Sequence, residues 1–170
     1  MWKNLLLERR RSKGVRSLGL LNTPAEPAFD RFVEQAAIAF DAPIALMSLI
    51  HGDQQWFKAG HGLALDCISR KSGFCGFTLD RPDLLEACDP EADPRFADLP
   101  SVTGDPFVRY YIGAPLRMSS GVDVGALCVL DVVRREPALP DQRAYLLGLA
   151  RQAARAMEAR STAFPAEVAA

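Results

Sequence analysis

Arg109-Tyr110-Tyr111-Ile112-Gly113-Ala114-Pro115-Leu116 and Gly125-Ala126-Leu127-Cys128-Val129-Leu130-Asp131 are two almost continuous apolar runs with the turn residues Ser119-Ser120-Gly121 between them. Each run has the length of a buried strand, and the short polar link predicts that Val108 to Leu116 and Val124 to Asp131 pair as a hairpin. A second hairpin is read upstream, from the apolar run Ile44 to Ile50, the turn residues His51-Gly52-Asp53, and Gln54 to Lys58. Strands buried to this extent need cover on both faces.

Helices supply one cover. Thr23-Pro24-Ala25-Glu26 has the form of a capping box with proline at the first helical position, which predicts a helix starting there. Phe29, Phe32, Val33, Ala36, Ala37 and Phe40 then recur at helical spacing until Asp41-Ala42-Pro43 ends the pattern. Pro140 opens a last helix in which Leu146, Ala150, Ala153 and Met157 form a stripe, and Leu147 with Ala154 forms a second. Between the hairpins, Asp66 to Asp80 is irregular, Leu84 to Cys88 is a brief strand, and Asp89 to Phe107 is rich in Pro, Asp and Gly. A connection this long in a small domain points to a lid or binding segment. The order predicts an α+β fold: an antiparallel sheet with the terminal helices on one face and a loop-covered pocket on the other.

The 170 residues carry a formal net charge of −1, with 49% hydrophobic and 24% charged residues, an ordinary globular composition. Leu5 to Leu7 is too short for a signal peptide and nothing later approaches a membrane span, so a cytoplasmic chain without membrane association is expected. Cys67, Cys75, Cys88 and Cys128 stand apart with no CxxC, and read as free thiols. Lys3, Arg9, Arg10, Arg11, Lys13 and Arg16 make the start of the chain basic. A solvated helix face or loose tail is the reading adopted, with no nucleic-acid partner. No phosphate-binding loop, dinucleotide fingerprint or nucleophile elbow occurs, and Asp89, Asp93, Asp98 and Asp105 read as turn residues rather than a metal set.

Several spaced blocks, in order, resemble the GAF domains at the front of bacterial sensor histidine kinases and diguanylate cyclases. They are Leu21-Asn22-Thr23-Pro24, Pro43-Ile44-Ala45, Gln55-Trp56-Phe57-Lys58-Ala59, Phe74-Cys75, Asp93-Pro94-Arg95-Phe96, and the two runs quoted at the outset. His51 and Leu99 depart from the pattern, standing where it usually has aspartate and asparagine. The resemblance implies a sensory domain that binds a small molecule, and it specifies no cofactor. A relative of the fold reduces free methionine sulfoxide with pocket cysteines and shares a Gly-x-Cys-Gly string, here Gly73-Phe74-Cys75-Gly76. That gives an alternative enzymatic reading with Cys75 as nucleophile and Cys67 or Cys88 as resolving thiol.

The candidate binding residues are Trp56, Phe74, Cys75, Asp89, Arg95, Phe96, Arg109 and Tyr111. Trp56 and Phe57 are neighbours on a strand and face opposite sides; Trp56 is the candidate for the pocket because an indole both stacks and donates, with a plain core role as the alternative. Phe74, Phe96 and Tyr111 read as core or as pocket wall. Arg95 and Arg109, with Asp89, Asp93 and Asp131 nearby, read either as a grip on an anionic ligand or as a salt-bridged fastening of the loop.

The expected organisation is a basic, partly helical extension at 1–17, the domain at 18–158 and a flexible tail at 159–170. No effector segment follows the last helix, so the chain is expected either to act in trans on a signalling protein or to be a detached sensory piece. A homodimer held by the terminal helices is expected, since the second stripe needs cover, with cover by the first helix within a monomer as the alternative. A ligand-free dimerisation module is the remaining alternative.

Overall fold

A computed structural model of the protein describes residues 2–164. The chain runs α1 (Trp2–Leu18), α2 (Pro27–Phe40), β1 (Ile44–His51), β2 (Gln54–His61), β3 (Cys67–Ser69), two 3-10 turns (Arg70–Ser72 and Cys75–Phe77), β4 (Leu85–Ala87), α3 (Pro100–Thr103), β5 (Tyr110–Arg117), β6 (Asp123–Asp131) and α4 (Pro140–Ala163). The strands form a single six-stranded sheet in the order β3-β2-β1-β6-β5-β4. Every neighbouring pair is antiparallel. Both expected hairpins form, β1 with β2 and β5 with β6, and β6 sits in the middle of the sheet with all its residues buried.

The sheet separates two apolar layers. On one face α1, α2 and α4 pack Val15, Phe29, Phe32, Val33, Phe40, Leu146 and Met157 against Met47, Leu49, Leu127 and Val129. On the other, the connection between β2 and β5 folds back and places Phe74, Phe96, Leu99 and Val102 over Leu46, Ile50, Tyr111, Cys128 and Leu130. This is the α+β architecture expected from the order of elements.

Local chemistry explains the ends of α2, and corrects where it starts. The helix begins at Pro27, with proline at its first position and Glu26 as a cap residue lacking a side-chain capping bond. Thr23 does not cap it. Its hydroxyl donates to the Leu20 carbonyl and accepts from Lys58 Nζ, so the capping-box pattern is taken up by a contact 35 residues away in sequence. At the other end Asp41 adopts a left-handed conformation (φ 44°) and its N–H returns to the Ile38 carbonyl, closing the helix.

The termini are more ordered than the sequence pattern indicates. The basic start of the chain is helical from Trp2, and its Arg11, Val15 and Leu18 are buried. Residues 159–163 continue α4, while the end of the expected tail, from 165, lies outside the described residues. Ala154 is buried and Leu147 is packed against the core within one chain, so the second stripe of α4 does not stand exposed. Among the described residues no helix is long and apolar enough to cross a membrane.

Candidate ligand-binding site

A cavity of about 270 Å³ opens between the outer face of the sheet and the β2–β5 connection. Ile44 and Leu46 of β1, Gln55 and Phe57 of β2, Tyr111 of β5 and Cys128 with Leu130 of β6 form its floor. Phe74, Cys75, Pro100, Pro106 and Val108 come from the connection and form the roof. The pocket thus lies where the long connection meets the sheet, and its wall is mostly apolar, as small-molecule pockets are. Asp105 is the one charged residue among those that line it, and none is Arg, Lys or His.

Its polar edge is built around Cys75. The phenol of Tyr111 donates to Cys75 Sγ at 3.7 Å. A phenol has one proton, so the 2.7 Å contact between Tyr111 and Thr78 is a bond donated by the threonine hydroxyl. Gly113 makes room for this arrangement, because a Cβ there would meet the tyrosine hydroxyl. Cys128 Sγ lies 3.8 Å from Cys75 Sγ, and both thiols are buried. Hydrogen bonding with Cys128 outweighs the opposing effect of burial, and together with the bond from Tyr111 it brings the Cys75 thiol down to about 7. The same interaction with Cys75, together with burial, pushes Cys128 well up. Ser48 Oγ and Gln55 Oε1 are also buried here, without hydrogen-bond partners among the described residues.

The proposed site residues divide. Phe74, Cys75 and Tyr111 line the cavity. Phe74 stacks on Tyr111 with ring centroids 4.7 Å apart, and Phe96 packs behind Phe74 at 4.9 Å as a fully buried support. Trp56 does not face the cavity. It pairs with Leu49, which belongs to the helix-side core, and lies beside Leu20, Asn22 and Thr23, so Phe57 takes the position in the pocket wall. The assignment fails because the β1–β2 pairing skips a residue between Met47 and Ser48, and alternation alone does not say which face the tryptophan takes.

Asp89, Arg95 and Arg109 are not in the cavity wall either. Arg95 pairs with Asp93 at 2.6 Å and lies over the Phe96 ring. Arg109 pairs with Glu91 at 3.0 Å and donates to the Val102 and Val108 carbonyls, so it fastens the connection to the sheet. Asp89 lies 3.3 Å from Arg134. For Arg109 the fastening is what the geometry displays, whereas Arg95, among the described residues, bonds only its near neighbour Asp93 within the connection. Among the described residues no group of three or more His, Cys, Asp or Glu side chains is arranged around a common metal position.

Gln55, Ser48 and Cys128 were absent from the candidate set. Cys128 had a signal in the sequence as a thiol within an apolar run, but β6 is buried on both faces, so burial periodicity cannot tell which face it joins. The resolving thiols considered for Cys75 are corrected accordingly: the neighbour is Cys128, whereas Cys67 sits on β3 at the sheet edge and Cys88 packs against the helix-side core.

The architecture is that of a GAF domain. The GAF domain of a phosphoenolpyruvate-protein phosphotransferase from Coxiella burnetii matches the chain with a TM-score of 0.66 at 18% identity, over 94% of each chain. The GAF-B domain of DevS from Mycobacterium smegmatis matches at 0.60 and 16% identity, over 80% of this chain and 94% of the other. The free methionine-R-sulfoxide reductase of Neisseria meningitidis, solved with its substrate, matches at 0.64 and 18%, over 86% and 87%. In sequence, the chain is 39% identical over 133 residues to a cyclic di-GMP phosphodiesterase of Pseudomonas aeruginosa, covering 78% of this chain and 22% of that relative's length. No protein-family model matches the chain. The chain therefore has the GAF fold.

Proposed function

We propose that this chain is a small-molecule-binding sensory domain of bacterial signal transduction, acting through an effector or a partner protein. The observation that carries the proposal is the cavity of about 270 Å³ under the β2–β5 connection, with the unpartnered Gln55 Oε1 and Ser48 Oγ in the same region. A ligand there covers apolar wall and gives a hydrogen-bond donor to a buried acceptor that otherwise has none. The absence of Arg, Lys and His from the lining argues against a cyclic dinucleotide or other phosphate ester as this ligand, since a desolvated phosphate needs a cation or several N–H donors. The fitting class is an uncharged, largely apolar molecule with one donor group.

The similarity to a fragment of a cyclic di-GMP phosphodiesterase supports a regulatory role beside such an effector. Self-association through the terminal helices belongs to the same reading. Among the described residues, α1 leaves Trp2, Leu5, Leu6 and Leu7 exposed and α4 leaves Tyr145 exposed, apolar surface that such contact would cover. Light scattering at micromolar concentration on the wild type and Leu5→Glu tests it, and a monomer in both would remove the dimer.

Native mass spectrometry of the chain purified from its source tests the ligand. A retained small-molecule mass that is lost on Phe57→Trp, which fills the cavity, is the expected result. A bare mass, with no thermal stabilisation by apolar donor-bearing compounds, would count against the reading. The competing reading as a reductase of free methionine sulfoxide draws on the thiols in the cavity. Turnover of that substrate, abolished by Cys75→Ser, would replace the sensory role with an enzymatic one.

A further inference from the structure

We infer that Cys75 and Cys128 form a dithiol–disulfide couple in the cavity wall, oxidised by a small uncharged hydroperoxide that enters the cavity and reduced again by external thiols. The inference stands on placement. The two sulfurs are 3.8 Å apart, and Cys75 opens the 3-10 turn of the roof while Cys128 lies at the centre of the sheet. Both line the cavity between the sheet and the β2–β5 connection. Closing 3.8 Å to a bond of about 2.05 Å requires the two side chains to rotate toward each other. Neither Cys67 nor Cys88 stands in such a pair.

The surroundings of Cys75 suit nucleophilic attack. Tyr111 donates to its sulfur, Thr78 fixes the direction of that phenol, and Ser48 and Gln55 are buried alongside. A thiolate held by hydrogen-bond donors in an apolar site is the attacking species in such chemistry. The oxidant must be small and uncharged, because the lining offers apolar carbon, no cation and one carboxylate.

The chemistry balances in two steps. The Cys75 thiolate attacks one oxygen of the O–O bond, an S–O bond forms, the O–O bond breaks, and the alkoxide leaves as alcohol after taking a proton from solvent. Cys128 then attacks the sulfenic sulfur; an S–S bond forms, the S–O bond breaks, and water leaves carrying the proton of the Cys128 thiol. Two thiols lose two electrons, and the hydroperoxide becomes alcohol and water. The product ties the roof of the cavity to the central strand, so oxidation narrows the same space a ligand would enter. The couple does not depend on the sensory reading, since it needs the cavity but no bound ligand.

The test treats the whole chain with hydrogen peroxide and separately with cumene hydroperoxide, blocks remaining thiols with iodoacetamide, and maps the peptides by mass spectrometry. The expected result is a linked Cys75–Cys128 pair, with Cys67 and Cys88 alkylated and the link reversed by dithiothreitol. In Cys128→Ser, Cys75 should proceed to sulfinic acid; in Cys75→Ser, Cys128 should stay reduced. Oxidation of Cys67 or Cys88 ahead of the pair, or sulfinic acid on Cys75 in the wild type while Cys128 remains a free thiol, would overturn the inference. The wild-type map decides by itself if either variant fails to fold.

Discussion

The guanidinium of Arg11, 1% exposed, donates to Asp80 Oδ2 at 2.6 Å across 69 residues of sequence. It also donates to the Asp123 carbonyl, and Asp123 in turn accepts the Asp80 N–H at 2.9 Å and pairs with Arg117 at 2.7 Å. One side chain of the basic N-terminal helix therefore joins α1, the segment before β4, and the start of β6. Arg11→Ala leaves these acceptors without their donor and should lower the unfolding free energy by roughly 2 kcal/mol. Asp80→Asn should cost about 1 kcal/mol or less, because that carboxylate is 41% exposed and water compensates. Urea denaturation of both variants checks the order, and a neutral Arg11→Ala would show α1 to be a loose extension.

A second network sets the acid limit. Lys58, buried on β2, meets Glu26 Oε2 at 2.5 Å, Thr23 Oγ1 at 2.8 Å and the Pro24 carbonyl at 2.6 Å, while Arg160 of α4 reaches Glu26 Oε1 at 3.2 Å. Burial acts to raise the Glu26 carboxyl, but the bonds from Lys58 and Arg160 win and hold it below 4.5. Glu8 is held low as well, first by its bonds with Arg70. A carboxylate depressed in the folded state contributes stability above its unfolded value, and that contribution is lost as pH falls through the folded value. Melting temperature should therefore fall as pH drops below about 4.5, and Glu26→Gln should flatten that fall. Thermal melts from pH 7 to pH 3 measure this; an unchanged slope in Glu26→Gln would remove Glu26 from the account.

These networks mark where sequence reading stops. The face of α2 from Phe29 to Phe40 and the β5–β6 hairpin were legible because period and length belong to the elements themselves. The start of α2 was not, because Thr23 is engaged by Lys58 from another strand. Trp56 and Cys128 were misplaced or missed for a related reason: an irregular register and a doubly buried strand remove the alternation that assigns a side chain to a face. Arg11 sat among six basic residues, and only the fold distinguishes the one that turns inward.

The thiols should differ in the opposite sense to their exposure. Burial raises Cys67 and Cys88, with Asp66 adding to the first and Glu86 to the second, whereas Cys75 is brought down to about 7. The modification rate of Cys75 by a small neutral thiosulfonate should rise with pH and level off above about 7, while Cys67 and Cys88 keep rising beyond 9. Tyr111→Phe removes one donor and should move the Cys75 midpoint upward. A Cys75 midpoint above that of Cys67 would show that burial, not hydrogen bonding, governs the cavity.

Gln55 gives the sharpest separation between a binding site and a packing defect. It is 2% exposed, its Oε1 has no hydrogen-bond partner among the described residues, and Gly73 allows its close approach, since a Cβ there would run into the amide oxygen. An unpaired buried acceptor costs about 1–3 kcal/mol, and a protein that keeps one for ligand binding regains that energy only when a donor arrives. Gln55→Met retains volume and removes the acceptor. Without ligand, the variant should be more stable by about 1 kcal/mol, a rise in melting temperature of roughly 2–4 °C for a domain of this size. Affinity for a donor-bearing apolar ligand should fall about tenfold, the equivalent of one lost hydrogen bond of about 1.4 kcal/mol. The opposed signs are the diagnostic, because a residue that merely supports the fold loses stability and binding together. Calorimetry of the ligand-free protein, set beside the mass retained from the source by native mass spectrometry, reads both. A Gln55→Met protein that melts lower and retains the same ligand would place the amide in the scaffold and not in the site.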